Sequence, residues 1–187
     1  MAIALVQHAL YGSAPSILFP ATGANILIVT GFGDVSNTSC FIEGATIRGV
    51  GSDPLNKIKQ WIFSVPSGVT TAIFNGVASL TGIMLSEWSG GNIINLAAAP
   101  MFFGGCGNST NQWGVNITPP GDNFLIHCST ISGGGIEPIV ENGYQTLGSL
   151  TNCGSAYQIQ TESNPTGSQF TGFVTSWSEI LVLITPL

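Results

Sequence analysis

Turn residues interrupt this chain at short intervals and leave no window long enough for an amphipathic helix. Twenty-five of the 187 residues are glycine, and glycine, proline or Asn-Gly breaks every stretch in which a helix could begin. Between the turns lie short runs of β-branched and other apolar residues, which favour strands. The pattern therefore predicts an all-β chain.

The strand-like runs are numerous enough to define an architecture. Six have the length and composition of core strands, and five weaker runs lie between them; the core candidates are residues 25–32, 59–65, 82–88, 123–131, 156–162 and 176–185, and the weaker ones are 16–19, 39–42, 46–50, 70–74 and 144–148. We predict a short helical turn at 97–103. Short strands separated by turn clusters are typical of a single antiparallel β-sandwich, jelly-roll-like in form.

One domain is predicted to span residues 1–187. The sequence has no linker, no charge block and no repeat of fixed period, and β-sandwiches of this length commonly stay undivided. The apolar run at 176–185 would aggregate if it formed an exposed edge. We therefore expect it to lie inside a sheet, with residues 25–32 as a candidate neighbour.

Charge is scarce throughout the chain. The only cations are Arg48, Lys57 and Lys59; with nine acidic residues the net charge is −6, and charged residues make up 6% of the chain, against roughly a quarter in ordinary soluble proteins. A monomer normally uses charges to stay soluble and to protect its sheet edges. We therefore expect a homo-oligomer, a trimer or larger, and we expect neither nucleic acid nor membrane as a partner, because both attractions need basic patches.

The start of the chain and its cysteines indicate the compartment. The first residues, MAIALVQH, lack a basic region and a long apolar segment, so we expect synthesis in a cytoplasm without a signal peptide. Cys40, Cys106, Cys128 and Cys153 form no Cys-x-x-Cys pair. Buried, reduced thiols are the expected state, and a disulfide formed after release from the cell is the alternative.

We expect no catalytic, metal or cofactor site. His8 falls at a terminus predicted to be frayed, and His127 adjoins Cys128 in a strand, where neighbouring side chains face opposite sides. The best enzyme candidate is the pair Glu87 and Glu179, because glycoside hydrolysis needs two carboxyl groups. Each of these acids lies near a tryptophan in the sequence, as a sugar-binding platform would require. The alternative is that these acids are solitary and solvated.

Metal and phosphate sites are equally poorly supported by the sequence. The oxygen donors that begin at Asp34 are interpreted as an Asx turn rather than a calcium loop. The glycine-rich stretches precede no helix, so a bound phosphate would have no helix dipole behind it. They are expected to form turns and bulges.

The segment 104–114 is predicted to be a long polar loop and is the candidate recognition site. Trp113 would stack on a sugar, and Asn108, Asn111 and Gln112 would hydrogen-bond to it. The alternative is that Trp113 caps one end of the sandwich core.

The order of these features resembles a set of small glycine-rich β proteins of bacteriophages and prophages. The resemblance lies in a Met-Ala-Ile start followed by ANILIVTGF, QWIFSVPSGVTTAIF, SEWSGG, TPPGDNFLIHCST, AYQIQTES and SWSEILVLITPL. It spans most of the chain and implies a jelly roll or related sandwich that decorates a capsid or forms part of a head or tail fibre. The chain departs from the pattern in its scarcer charge and in its cysteines. No functional residue is carried over, because these proteins share no active site to match.

Three functions follow as hypotheses. The leading one is a non-enzymatic bacteriophage virion structural protein, located in the virion, that acts through self-association and contact with other virion proteins. The second is a lectin-like module that binds surface glycans through segment 104–114. The third is a glycoside hydrolase that uses Glu87 and Glu179.

Overall fold

The computed structural model describes residues 3–23, 25–68, 71–75, 80–90, 99–108, 112–119, 124–134, 137–162, 164–167, 169–172 and 175–185. These stretches hold no helix that is long and apolar enough to cross a membrane. Their regular elements are β-strands, which confirms the all-β prediction: β1 (Ala4–Tyr11), β2 (Ser16–Leu18), β3 (Asn25–Gly33), β4 (Ser39–Ile42), β5 (Thr46–Ser52), β6 (Ile58–Val65), β7 (Thr71–Asn75), β8 (Leu80–Ser89), β9 (Met101–Asn108), β10 (Gln112–Trp113), β11 (Phe124–Ser132), β12 (Ile139–Val140), β13 (Gln145–Leu150), β14 (Cys153–Gln160), β15 (Phe170–Thr171) and β16 (Ser176–Ile184).

The strands form four sheets. Sheet 1 has the order β1-β8-β3-β6-β5, and sheet 2 has the order β9-β16-β11-β14-β13. Small sheet 1 is β2-β7-β4, and small sheet 2 is β10-β15-β12. Neighbouring strands are antiparallel in all four sheets. The predicted antiparallel β-sandwich is confirmed.

The two halves of the chain share one strand order. Adding eight to each strand number of sheet 1 gives sheet 2, and the same operation converts small sheet 1 into small sheet 2. Corresponding strands begin 95 to 100 positions apart, the extremes being β6 and β14 (58 and 153) and β4 and β12 (39 and 139). The repeat is therefore one of strand order, and its spacing drifts too much to form a repeat of fixed period.

Glycines mark the same irregularities in both halves. Gly44 and Gly143 each have φ 78°, a left-handed conformation that glycine adopts without strain, in turns closed by backbone hydrogen bonds of 3.2 and 3.1 Å. Five positions later the ladder of β5 shifts register at Gly49, and that of β13 shifts at Gly148. These shifts are β-bulges, which bend an edge strand.

Apolar side chains fill three layers. Ile28, Trp88 and Ile180 belong to the central core between sheets 1 and 2. The outer face of sheet 1 packs on small sheet 1 around Trp61, and the outer face of sheet 2 packs around Phe170 of small sheet 2. Sheets 1 and 2 are thus covered on both faces, which explains the unbroken apolar run of β3. The one-domain prediction over residues 1–187 stays a prediction, although both halves share the central core.

The halves pack through equivalent elements. β3 and β11 meet in the central core, where the Oγ of Ser129 donates to the Oγ1 of Thr30 at 3.4 Å. At the two sides, β5 lies beside β9 and β13 lies beside β1, so each half offers the same strands to the other. This exchange of contacts resembles an isologous dimer interface within one chain.

Three predictions about local structure are wrong. The N-terminal residues are not frayed: β1 pairs with β8, and His8 is an exposed residue of this edge strand. Residues 101–103 of the predicted helical turn, and residues 104–108 of the predicted loop, form β9 along β16; residues 97 and 98 lie outside the described residues. The glycines of β9 serve close packing, because a Cβ on Gly107 would lie 2.7 Å from the Nε1 of Trp177.

The last strand and the cysteines partly follow expectation. β16 lies inside a sheet, as predicted, but between β11 and β9 of sheet 2, while β8 takes the place beside β3. All four cysteines are free; Cys40, Cys128 and Cys153 are buried as expected, and Cys106 is exposed on β9. Burial raises the pKa of Cys40 and Cys153 to about 12, which keeps these two thiols protonated and unreactive.

Candidate functional site

The four predicted recognition residues do not share an exposed loop. Asn108 is exposed at the end of β9, paired in register with Ser176. Gln112 and Trp113 form β10 beside β15, and their side chains, like the whole of Asn111, lie outside the described residues. The loop prediction is wrong for 104–108 and 112–113, because both segments pair with other strands. Sugar binding by these residues stays a prediction.

Glu87 and Glu179 cannot act as a catalytic pair. Glu87 lies opposite Leu27 on the outer face of sheet 1, and Glu179 lies opposite Thr130 on the outer face of sheet 2. The carboxyl groups point away from each other across two sheets that pack about 10 Å apart, beyond the roughly 5–9.5 Å that separates glycosidase carboxylates. Both acids are fully buried, so the alternative of solvated acids is also wrong.

Both carboxyl oxygens of Glu87 accept hydrogen bonds. Its Oε2 accepts from Gln7 Nε2 at 2.5 Å, and its Oε1 accepts from Asn25 Nδ2 at 2.5 Å. The backbone N–H and the hydroxyl of Thr22 also donate to Oε1, at 2.9 and 3.2 Å. These bonds fasten β1 and the start of β3 to β8, so the role of this acid is structural.

Glu179 has the opposite environment. Neither carboxyl oxygen has a hydrogen-bond partner among the described residues, and burial raises the pKa of Glu179 well above its ordinary value, against the smaller opposing effect of the Val115 backbone. The thiol of Cys128 and the phenol of Tyr144 lie close enough to Glu179, and to each other, to interact electrostatically. As predicted, the side chain of Cys128 faces away from that of the neighbouring histidine. Burial with so few donors favours the protonated form of Glu179.

A second polar cluster lies in the central core. The Nε2 of Gln60 donates to His127 Nδ1 at 2.9 Å and to Ser129 Oγ at 3.1 Å. Ser129 also bonds to Ser155 at 2.7 Å and to Thr30. All five side chains are buried, and burial lowers the pKa of His127 to about 3. A neutral imidazole that solvent cannot reach is a packing group, so the cluster offers no catalytic base.

One cavity lies where the two halves meet. It has a volume of about 370 Å³ and is lined by Lys57 from the first half and by Ile131 and Trp177 from the second. At its edge, Ser36 donates its N–H (3.2 Å) and its hydroxyl (2.7 Å) to Asp34 Oδ1, which confirms the predicted Asx turn and lowers the pKa of Asp34. Within the described ranges, no three His, Cys, Asp or Glu side chains could hold a metal ion.

The clearest interaction feature is an apolar face on the first half. Leu18 is 71% exposed and Phe41 is 57% exposed, on the outer side of small sheet 1. Ile47 and Val50 of β5, which follows β4 through a short turn, are 50% and 45% exposed. Single exposed apolar residues are ordinary, but these four lie on β2, β4 and β5 of one half in a chain with few charges, and we take them as a candidate contact surface. We call these four residues the apolar face.

The apolar face could not be foreseen from the sequence, because a strand residue's side of the sheet depends on register. The sequence identifies Glu87 and Glu179 as acids in apolar strands, but it does not reveal that both are buried. No protein-family model, no curated protein and no solved structure matches the chain.

Proposed function

We propose that this chain is a non-enzymatic structural protein of a bacteriophage virion, a capsid decoration or a head or tail appendage component. It acts by self-association and by contact with other virion proteins. The observation that carries the proposal is the apolar face on a chain in which 6% of residues are charged. A surface of this kind is unfavourable in water and favourable against a protein partner.

The size of the apolar face favours an assembly with several contacts per copy. Completing the burial of its four side chains would contribute on the order of 3–6 kcal/mol. Association costs roughly 4–15 kcal/mol in lost translational and rotational freedom, so this contact alone would not hold a pair together. Each copy must bury further surface, as it does in a trimer or a larger ring.

The strand order also supports a finer fold, in which each half is a jelly roll. In a jelly roll wound from one long hairpin, the strands whose numbers add to nine pair with each other. The pairs β1–β8, β2–β7 and β3–β6 follow this rule, and their equivalents in the second half do too. The departure is β5, which pairs with β6. Jelly rolls build viral capsid and lectin domains, an analogy of fold and not of site.

The apolar face can be tested by paired substitutions. Leu18→Ser with Phe41→Ser should shift the assembly toward smaller species in analytical ultracentrifugation, with an unchanged far-ultraviolet circular dichroism spectrum as the check that the chain still folds. Ile139→Ser is the matched control, since Ile139 is 60% exposed on the second half, and it should leave the assembly intact. A double variant that assembles as the wild type does would contradict the role of this face.

The virion location needs its own test. Gold-labelled antibody against the chain should decorate particles purified from lysates of the source host. Particles that carry no label, in lysates where the soluble chain is abundant, would contradict a virion role.

A further inference from the structure

A groove lies on the second half, away from the apolar face. It has a volume of about 390 Å³ and runs over the end of β14, where Gln158 and Gln160 line it. The turn at Asn142 borders one side, and Pro165 and Thr166 border the other. Its volume falls within the roughly 300–1,000 Å³ of small-molecule sites.

Both walls of the groove are fixed in place. Thr166 donates its N–H to the carbonyl of Ile117 at 2.8 Å and its hydroxyl to the carbonyl of Val115 at 2.9 Å. On the opposite side, the N–H of Glu141 donates to the carbonyl of Gln169 at 3.0 Å. A ligand would therefore meet a preformed site and would lose little affinity to loop ordering.

The floor of the groove is a row of amides with an unsatisfied end. Gln160 Nε2 donates to Gln158 Oε1 at 2.9 Å, and Gln158 Nε2 reaches the carbonyl of Asn142 at 3.5 Å. Gln160 is only 8% exposed, and its Oε1 has no hydrogen-bond partner in the described part of the chain. A bond of 3.5 Å is at the weak limit, so Gln158 can turn toward a ligand and open the way to the unsatisfied oxygen.

The lining selects the chemistry of the ligand. Glu162 is the only charged side chain among the described lining residues, and residues 100–187 contain no lysine or arginine, so an anionic ligand would be repelled. Amide and hydroxyl groups offer donors and acceptors together, as sugar hydroxyls do. Pro165 supplies apolar contact for the C–H face of a sugar ring.

We infer that this groove binds a neutral glycan, whose hydroxyl groups hydrogen-bond to Gln158 and Gln160. The site is distinct from segment 104–114 and does not depend on assembly. Without an aromatic platform among the described lining residues, the dissociation constant for one or two sugar rings should be about millimolar.

The test uses the full-length protein labelled with ¹⁵N. The neutral probes are N,N′-diacetylchitobiose and cellobiose, and the charged comparison is a sulfated disaccharide. The neutral probes should produce saturable shifts in the side-chain amide signals of Gln158 and Gln160, and the sulfated probe should produce none. No saturable shift with either neutral probe, at roughly ten times the expected constant, would overturn the inference.

Substitutions place the site. Gln158→Ala should weaken binding about tenfold, the equivalent of one lost hydrogen bond. The control Asn108→Ala removes an exposed amide from segment 104–114 and should change nothing. If Gln158→Ala does not fold, Thr161→Ala, at an exposed residue of the same groove, replaces it. Binding that survives the groove substitution, or that is lost with Asn108→Ala, would assign the glycan elsewhere and overturn the inference.

Discussion

Replacing Glu179 by glutamine tests whether the outer core of sheet 2 holds a neutral carboxylic acid. The side chain is fully buried, and neither oxygen has a hydrogen-bond partner among the residues that the structure describes. Burial raises the pKa of Glu179 well above its ordinary value. The folded protein therefore keeps a proton on this acid at pH values where the unfolded chain has released it.

The size of the effect follows from proton linkage. Above the ordinary pKa of about 4.5, the native state binds one proton more than the unfolded state, so stability falls as pH rises until the pH reaches the folded pKa. One proton corresponds to about 1.4 kcal/mol per pH unit. The loss of unfolding free energy accumulates over every pH unit between the ordinary pKa and the folded pKa. Glutamine does not titrate and removes this slope.

The assay is urea unfolding of the wild type and of Glu179→Gln between about pH 5 and 7; the two proteins contain the same histidines, so histidine titration cancels in the difference between them. Protein concentration is held constant, because assembly makes stability depend on it. We expect the free-energy difference between the two proteins to shift in favour of the variant by about 1.4 kcal/mol per pH unit. Parallel pH dependences would refute the reasoning and would mean that Glu179 is ionised in the folded protein.

Three further predictions concern stability. Glu87→Gln should destabilise the fold by about 2–4 kcal/mol in denaturant titrations, because an amide nitrogen would replace an oxygen that accepts from buried donors; an unchanged midpoint would contradict this. Because the pKa of His127 is lowered to about 3, stability should fall as pH falls from about 6.5 toward 3; His127→Gln should flatten that loss, and equal acid sensitivity would count against it. A Cβ on Gly51 would lie 2.8 Å from the Cβ of Phe102 and closer still to its ring, so Gly51→Ala should lower the unfolding free energy by about 1–3 kcal/mol. The control is Gly12→Ala, whose added Cβ would have no atom within 4 Å; its unfolding free energy should stay within about 0.5 kcal/mol of the wild-type value.

The strands that the sequence predicts well are those whose own composition demands burial. β3, β8 and β16 are apolar runs between turn clusters, and their bounds agree with prediction to within a few residues. The sequence does not predict β9 as a strand, because glycine-rich segments usually form loops. In the structure its glycines leave room for the side chain of Trp177, which packs against the strand. β10, β12 and β15 have two residues each, which is too short for a periodic pattern.

The repeat and the environments of the acids could not be foreseen for a related reason. The halves share strand order and a few turn glycines such as Gly44 and Gly143. Strand order depends on which strands pair, and the sequence alone does not show that pairing. Glu87 and Glu179 are both acids in apolar strands near tryptophans. Glu87 accepts hydrogen bonds from residues distant in sequence, such as Thr22, and Glu179 has no such partner among the described residues; only the fold decides which residues surround each acid.

The molar mass in solution, measured by light scattering behind size exclusion, tests self-association most directly. It should be measured at micromolar concentration, with and without reductant. We predict a trimer or a larger multiple of the 19.3 kDa chain that persists in reductant, since reduction would remove only a disulfide through the exposed Cys106 and not the non-covalent contacts. A monomer of 19.3 kDa at every concentration would contradict the account.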